Sequence, residues 1–179
     1  MPFSFNALAR LVLDLCRLRG GPEDVAYSPQ LLGILIGASI ALDALVGAAL
    51  GDAAGAAADS MLSAGVVLAL CWVALSIRRL GNRYVQTASA LLATGLVFSL
   101  LQGIVAWLAG PAPADTAAPD GARLFLDCVA LAFFIWGVAV YAHIVRRALN
   151  APTALAVALV VSWILAYWAL DRVLLSGAG

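Results

Sequence analysis

The chain contains no lysine; all ten of its basic residues are arginine. A Schiff-base lysine and a lysine that cradles phosphate are therefore excluded. Charge of either sign is scarce. Only 11% of the 179 residues are charged, against about 25% in an ordinary soluble domain. Acids and bases balance to a formal net charge of zero, so no overall field recruits nucleic acid or an acidic partner. The three cysteines, Cys16, Cys71 and Cys128, form no CxxC pair and have no neighbouring histidine pair. No metal or redox motif follows from them. Cys71 and Cys128 fall in apolar stretches, where buried thiols are expected to pack as small hydrophobes. There is no HExxH, no GxSxG, no glycine-rich phosphate loop and no carboxylate pair at ligand spacing. Serine, histidine and aspartate occur only as scattered residues. The expectation is a non-enzymatic protein with no catalytic residue, no cofactor and no bound metal.

What the chain has in abundance is apolar sequence. It is 64% hydrophobic with a mean hydropathy of +1.02. A water-soluble core of this size could not hide that much apolar surface, so lipid is part of its solvent. Five apolar runs are predicted to cross a bilayer, at about residues 29–51, 60–77, 84–109, 124–145 and 152–170. Each is close to the roughly 20 residues a helix needs to span the hydrocarbon. Helices are the form expected of them, because backbone donors and acceptors cannot stay unpaired in lipid. The fold class is all-α, a polytopic transmembrane bundle of five helices over 29–171. A separate segment, 1–21, precedes it. There Leu8, Leu11, Val12 and Leu15 recur at helical spacing opposite Asn6, Arg10, Asp14 and Arg17. That pattern predicts an amphipathic helix, lying on the membrane interface or packed on the end of the bundle. Its charges interrupt any signal-peptide core. Gly20-Gly21-Pro22 ends it, and Ser28-Pro29 opens the first span.

The arginines orient the bundle. Arg10, Arg17 and Arg19 precede the first span, Arg78, Arg79 and Arg83 lie between the second and third, and Arg146 and Arg147 lie between the fourth and fifth. Five spans put all eight on one side, leaving Arg123 and Arg172 on the other. The positive-inside rule then predicts a cytoplasmic N-terminus and a C-terminus outside. The eight arginines are the candidate contacts to lipid headgroups or a partner protein. The outer connectors are expected at 51–59, rich in Ala and Gly, and at 110–121, rich in Pro and Ala. Trp107, Trp163, Tyr167 and Trp168 near one boundary, and Tyr27 and Tyr84 near the other, fit an aromatic belt.

Five polar side chains stand inside or at the rim of the spans: Asp43, Gln102, Arg123, Asp127 and His143. A carboxylate at mid-helix costs about 2.5 to 3.5 kcal/mol to insert, which favours a bundle-facing position for Asp43. It can serve a proton relay, a cation site, a partner's arginine, or an internal hydrogen bond. Arg123 and Asp127 are four residues apart and can pair on one helix face; Arg123 can equally reach Asp43. Gln102 is expected to bond to a neighbouring helix. His143, alone and next to Arg146-Arg147, reads as an interfacial hydrogen-bonder. Small residues repeat every four positions at Gly33 and Gly37, Gly47 and Gly51, and Gly95, Ser99 and Gly103. Such spacing lets helix backbones approach closely.

Gly81-Asn82-Arg83-Tyr84-Val85-Gln86-Thr87 leads into the third span, and Ile135-Trp136-Gly137 is followed by His143-Ile144-Val145-Arg146-Arg147 and by Ala154 in the fifth span. In these two stretches the chain resembles the Yip1-domain family of five-span membrane proteins. The likeness extends over about 29–170. The aromatic-acidic hallmark that eukaryotic members carry before the first span is absent. The resemblance implies a five-helix bundle with a cytoplasmic N-terminus and, from family members that act as trafficking adaptors, a role in binding partner proteins.

The function expected from these features is that of a non-enzymatic bacterial inner-membrane protein, a scaffold or accessory subunit of a membrane complex. Its expected partners are membrane lipids and a membrane protein or a second copy of the chain, not nucleic acid. The alternative is a small oligomeric transporter or channel that uses Asp43.

Overall fold

A computed structural model describes residues 5–110 and 121–174. Six α-helices follow one another: α1 (Phe5–Cys16), α2 (Pro29–Leu50), α3 (Ala53–Ile77), α4 (Tyr84–Ala109), α5 (Gly121–Leu149) and α6 (Thr153–Leu174). Two single 3-10 turns, Pro22–Asp24 and Gly81–Arg83, sit in the connections before α2 and α4. The described residues contain no strand. Five of the helices, α2 to α6, are long and apolar enough to cross a membrane.

Local chemistry sets the helix ends. The Ser28 hydroxyl accepts from the Leu31 N–H at 3.2 Å, and Pro29 takes the first helical position of α2, where a missing N–H costs nothing. Gly51 ends α2 at φ +93, a left-handed conformation that glycine adopts freely. Asp52 then accepts from the Gly55 N–H at 2.8 Å and starts α3 at once. The connector expected at 51–59 is thus only Gly51 and Asp52. The alanine-rich residues that follow are strong helix formers, and with a cap available they fold as the first turns of α3. The chain is helical beyond the expected ends of the fourth and fifth spans as well, to Leu149 and Leu174. The expected connector at 110–121 lies, apart from its two ends, outside the described residues.

The centre of the bundle is α4, which packs against α1, α2, α3 and α5. Residues 87–94 are buried without interruption, so the helix has no lipid face there. Its buried threonines return their hydroxyls to their own helix, Thr87 to the Arg83 carbonyl and Thr94 to the Ala90 carbonyl, each at 2.9 Å. Small residues let neighbours come close at three points. A β-carbon at Gly47 would run into Ala56 Cβ, one at Gly103 would lie 2.9 Å from Val46, and one at Gly95 would lie 2.7 Å from the Tyr141 hydroxyl. Gly33 and Gly37 behave otherwise: a β-carbon at either meets nothing within 4 Å, so that pair packs against no neighbour among the described residues.

Two apolar residues fall differently from expectation. Trp163, expected in the interfacial belt, is buried in the core, because α6 turns that face toward the bundle. Cys128, expected to be buried, is exposed on α5, while Cys71 is buried on α3. Exposed apolar side chains such as Ile34, Leu45, Phe125, Leu165 and Val173 cover the outside of the helices, as a surface solvated by lipid requires.

Two substitutions test this packing in opposite directions. Gly47→Ala forces a methyl group against the Asp52 carbonyl and Ala56 and should destabilise the bundle by about 1–3 kcal/mol. Ser89 is wholly buried, and its hydroxyl has no partner among the described residues. Ser89→Ala removes that unpaired group and should raise the thermal midpoint, with a gain of about 1 kcal/mol. Thermal unfolding in detergent micelles measures both.

Candidate functional site

Asp43 projects from α2 into the space between α3, α4 and α5. Its carboxylate accepts a hydrogen bond from the Ser99 hydroxyl of α4. Around this pair lies a cavity of about 130 Å³ lined by Ser39, Asp43, Ser60, Ser63, Ser99 and Tyr141 among others. The lining follows from helical spacing. Ser39 and Asp43 are one turn apart on α2, Ser60 and Ser63 are one turn apart on α3, and Ser99 lies one turn beyond Gly95 on α4. Gly95 carries no side chain, and the Tyr141 hydroxyl of α5 occupies the space a β-carbon would take. The result is a carboxylate surrounded by hydroxyl groups in an otherwise apolar membrane span. A polar cavity of this size holds several waters or a small ion. Among the described residues no three His, Cys, Asp or Glu side chains gather to hold a metal.

A second, apolar cavity of about 230 Å³ adjoins the first. The two share Gly95, Ser99 and Tyr141 as a common wall, and the apolar side is completed by Phe98, Phe133 and Ile164 among others. Phe98 meets Trp136 edge-on, with ring centroids 5.5 Å apart, a favoured aromatic geometry. Further along α4, Gln102 lines this cavity and also a wider cleft of about 570 Å³ between the ends of α2, α4 and α5. Arg123 and Asp127 both line that cleft.

None of the remaining polar candidates lines the Asp43 cavity. The Gln102 side chain donates to the Ala130 carbonyl of α5 at 2.9 Å. Arg123 does not reach Asp43; its guanidinium donates to the Ala109 and Gly110 carbonyls at 3.2 and 3.3 Å, where the end of α4 leaves carbonyls in need of donors. Asp127 is exposed. His143 lies at the opposite end of α5, its ring Nε2 donating to the Gly20 carbonyl at 2.9 Å.

His143 belongs to a stripe that ties the N-terminal segment down. Trp136, His143 and Arg147 share one face of α5 at steps of seven and four residues. The Trp136 indole donates to the Cys16 carbonyl at 3.0 Å, and Arg147 forms an ion pair with Glu23. From α4, the Gln86 amide donates to the Val25 carbonyl at 2.8 Å. Helix α1 is thereby packed on α4 and α5 with Leu15 and Cys16 buried. Burial pushes the Cys16 thiol up, so it stays protonated and unreactive. Two further arginines converge on the same end of α5: Arg78 and Arg83 donate to the Leu149 and Ala148 carbonyls, each at 3.4 Å. Arg10, Arg17, Arg19 and Arg79 are exposed, and Arg146 is half-buried.

Tyr141, the Trp136 stripe and the serines Ser39, Ser60 and Ser63 are not among the candidates the sequence offers. The one-turn spacings of Ser39 with Asp43 and of Ser60 with Ser63 were the available signals. Comparison with known proteins matches the chain to no protein family, no curated protein and no solved structure. What the fold and site define is a class: a multi-pass membrane protein, all-α, with a carboxylate set inside its helical bundle.

The tie between Glu23 and Arg147 has a definite pH dependence. Burial raises the Glu23 carboxyl, but the hydrogen bonds from its own backbone and Arg147, with the charges of Arg147 and Arg83, outweigh it and hold the group below its ordinary value. A carboxyl lowered in the folded state stabilises it above the ordinary glutamate value of about 4.3 and ceases to do so as pH falls through the lowered one. The two side chains are 39% and 49% exposed, so screening limits the pair to about 0.5 kcal/mol. Glu23→Gln should lower the thermal midpoint slightly at neutral pH, and the difference from wild type should vanish in acid; unfolding curves across pH in micelles measure it.

Proposed function

We propose that this chain is a small transporter or channel subunit that binds a cation or proton at the intramembrane carboxylate Asp43. The observation that carries this reading is the hydroxyl-lined cavity around Asp43, built from α2, α3, α4 and α5. A bare carboxylate in hydrocarbon is costly, and ionisable groups kept there mark ion pathways. Five spans make a small carrier, so the working form is an oligomer. The location is a bacterial inner membrane, with the arginine-rich end in the cytoplasm, as the distribution of Arg10, Arg17, Arg19, Arg78, Arg79, Arg83, Arg146 and Arg147 supports. Kinship with the Yip1-domain family is part of the same proposal, supported by the five-helix layout.

A second reading has its own observation. The exposed arginines of α1 and its flank, Arg10, Arg17 and Arg19, stand beside exposed Leu13 and Leu18 on a segment fixed to the bundle by Trp136, His143 and Arg147. A rigidly held basic and apolar surface suits a non-enzymatic scaffold or accessory subunit that docks a membrane-protein partner or anionic lipid.

Flux of monovalent cations and protons in proteoliposomes distinguishes the two. The transporter reading expects Asp43→Asn to abolish flux while the protein still folds and elutes as wild type. Full flux in Asp43→Asn contradicts it. The scaffold reading expects no flux in either protein and loss of a co-purifying partner when residues 1–19 are deleted.

A further inference from the structure

We infer that the Asp43 site takes an amphipathic organic cation, an ammonium group joined to a compact apolar or aromatic body, rather than a bare inorganic ion. The inference rests on the reading of Asp43 as a cation site and adds the substrate class. Its basis is the wall that the polar and apolar cavities share. Ser99 donates its hydroxyl to Asp43 and also lines the apolar cavity, as do Gly95 and Tyr141. A ligand that turns the Tyr141 hydroxyl aside from Gly95 joins the two spaces and meets the carboxylate and hydroxyl groups at one end and Phe98, Phe133 and Ile164 at the other.

The chemistry of each half selects its share of the ligand. A single carboxylate with neutral hydroxyls complements one positive charge. It falls short of the several charged oxygen ligands that a divalent cation draws on. The apolar half needs a group that gains by leaving water or lipid headgroups and packing against rings. Its volume of about 230 Å³ exceeds the roughly 150 Å³ apolar cavity that accepts benzene, so a substituted ring fits. Aromatic faces next to an ammonium add a further attraction. Access is consistent with the ligand: Phe134, at the edge of this cavity, is 42% exposed on the apolar outside of α5. An amphipathic cation that has partitioned into the bilayer reaches the slot from that side.

The test uses the full-length protein in lipid nanodiscs and radiolabelled benzyltrimethylammonium, whose charge cannot be lost to a base. Saturable binding is expected, with benzyl alcohol, the neutral ring compound, competing at least about thirtyfold more weakly, since an unpaired buried charge costs about 2 kcal/mol or more. Asp43→Asn should weaken binding by a similar factor. Gly137→Leu, whose β-carbon would make ordinary contact with Phe98 at 3.5 Å, fills the slot without touching Asp43 and should weaken binding at least about tenfold. Undiminished affinity in Gly137→Leu, equal affinity for benzyl alcohol, or no saturable binding overturns the inference. Asp43-dependent flux of an inorganic cation in a protein that does not bind benzyltrimethylammonium also overturns it and leaves the cation-site reading standing. Asp43-dependent binding without any flux supports the inference and removes the transport role.

Discussion

The hydrogen bond from Ser99 to Asp43 joins α4 to α2 at a depth where both helices are otherwise apolar. In water such a contact would add little. Inside a membrane span, the cost of a carboxylate without a partner governs where it can stand. Asp43 therefore faces the bundle, α2 is fixed in rotation about its axis, and the small residues of the neighbouring helices become the cavity wall. Close approach at Gly103, where Val46 packs against the α4 backbone, holds the same two helices together about one turn further along. The polar site and this close helix contact are thus parts of one arrangement.

The two ends of the bundle are organised differently. At the arginine-rich end, α1 and the segment up to Val25 are held by side chains from α4 and α5, and Arg78 and Arg83 occupy the carbonyls that the end of α5 leaves free. Helix ends carry partial negative charge at their C-termini, so guanidinium groups settle there for an electrostatic reason as well as for orientation in the membrane. At the other end, a cleft walled by Gln102, Arg123 and Asp127 lies next to the apolar cavity, and that cavity lies next to Asp43. The arrangement is a row of spaces along α4, with continuous packing over residues 87–91 beyond it.

Most of the fold could be read from residue order, because hydropathy runs and caps act locally. Ser28-Pro29 marks the start of α2, and the glycine at 51 marks its end, by the same rules that operate in the structure. The start of α3 was misplaced because an Ala/Gly run looks like a loop until Asp52 is recognised as its cap. The site was legible only in its centre. Asp43 stood out because it is charged in an apolar run, whereas Tyr141 and the serines became meaningful only when four helices brought them together. The role of α1 was undecided for the same reason: its amphipathic pattern fits a lipid surface and a protein surface equally. Long-range bonds from Trp136, His143 and Gln86 hold the end of α1 and the segment after it on the bundle, and no local pattern encodes them.

Asp43 is either a place where a positive charge is bound inside the bundle or a hydrogen-bonded strut. Infrared difference spectroscopy on the protein in nanodiscs, recorded as benzyltrimethylammonium or a monovalent metal ion is added, observes that carboxylate directly. Charge binding shifts a carboxylate stretching band on addition of the cation, saturably, and the shift is missing from Asp43→Asn. A spectrum unchanged by every cation, or the same shift in Asp43→Asn, would contradict it.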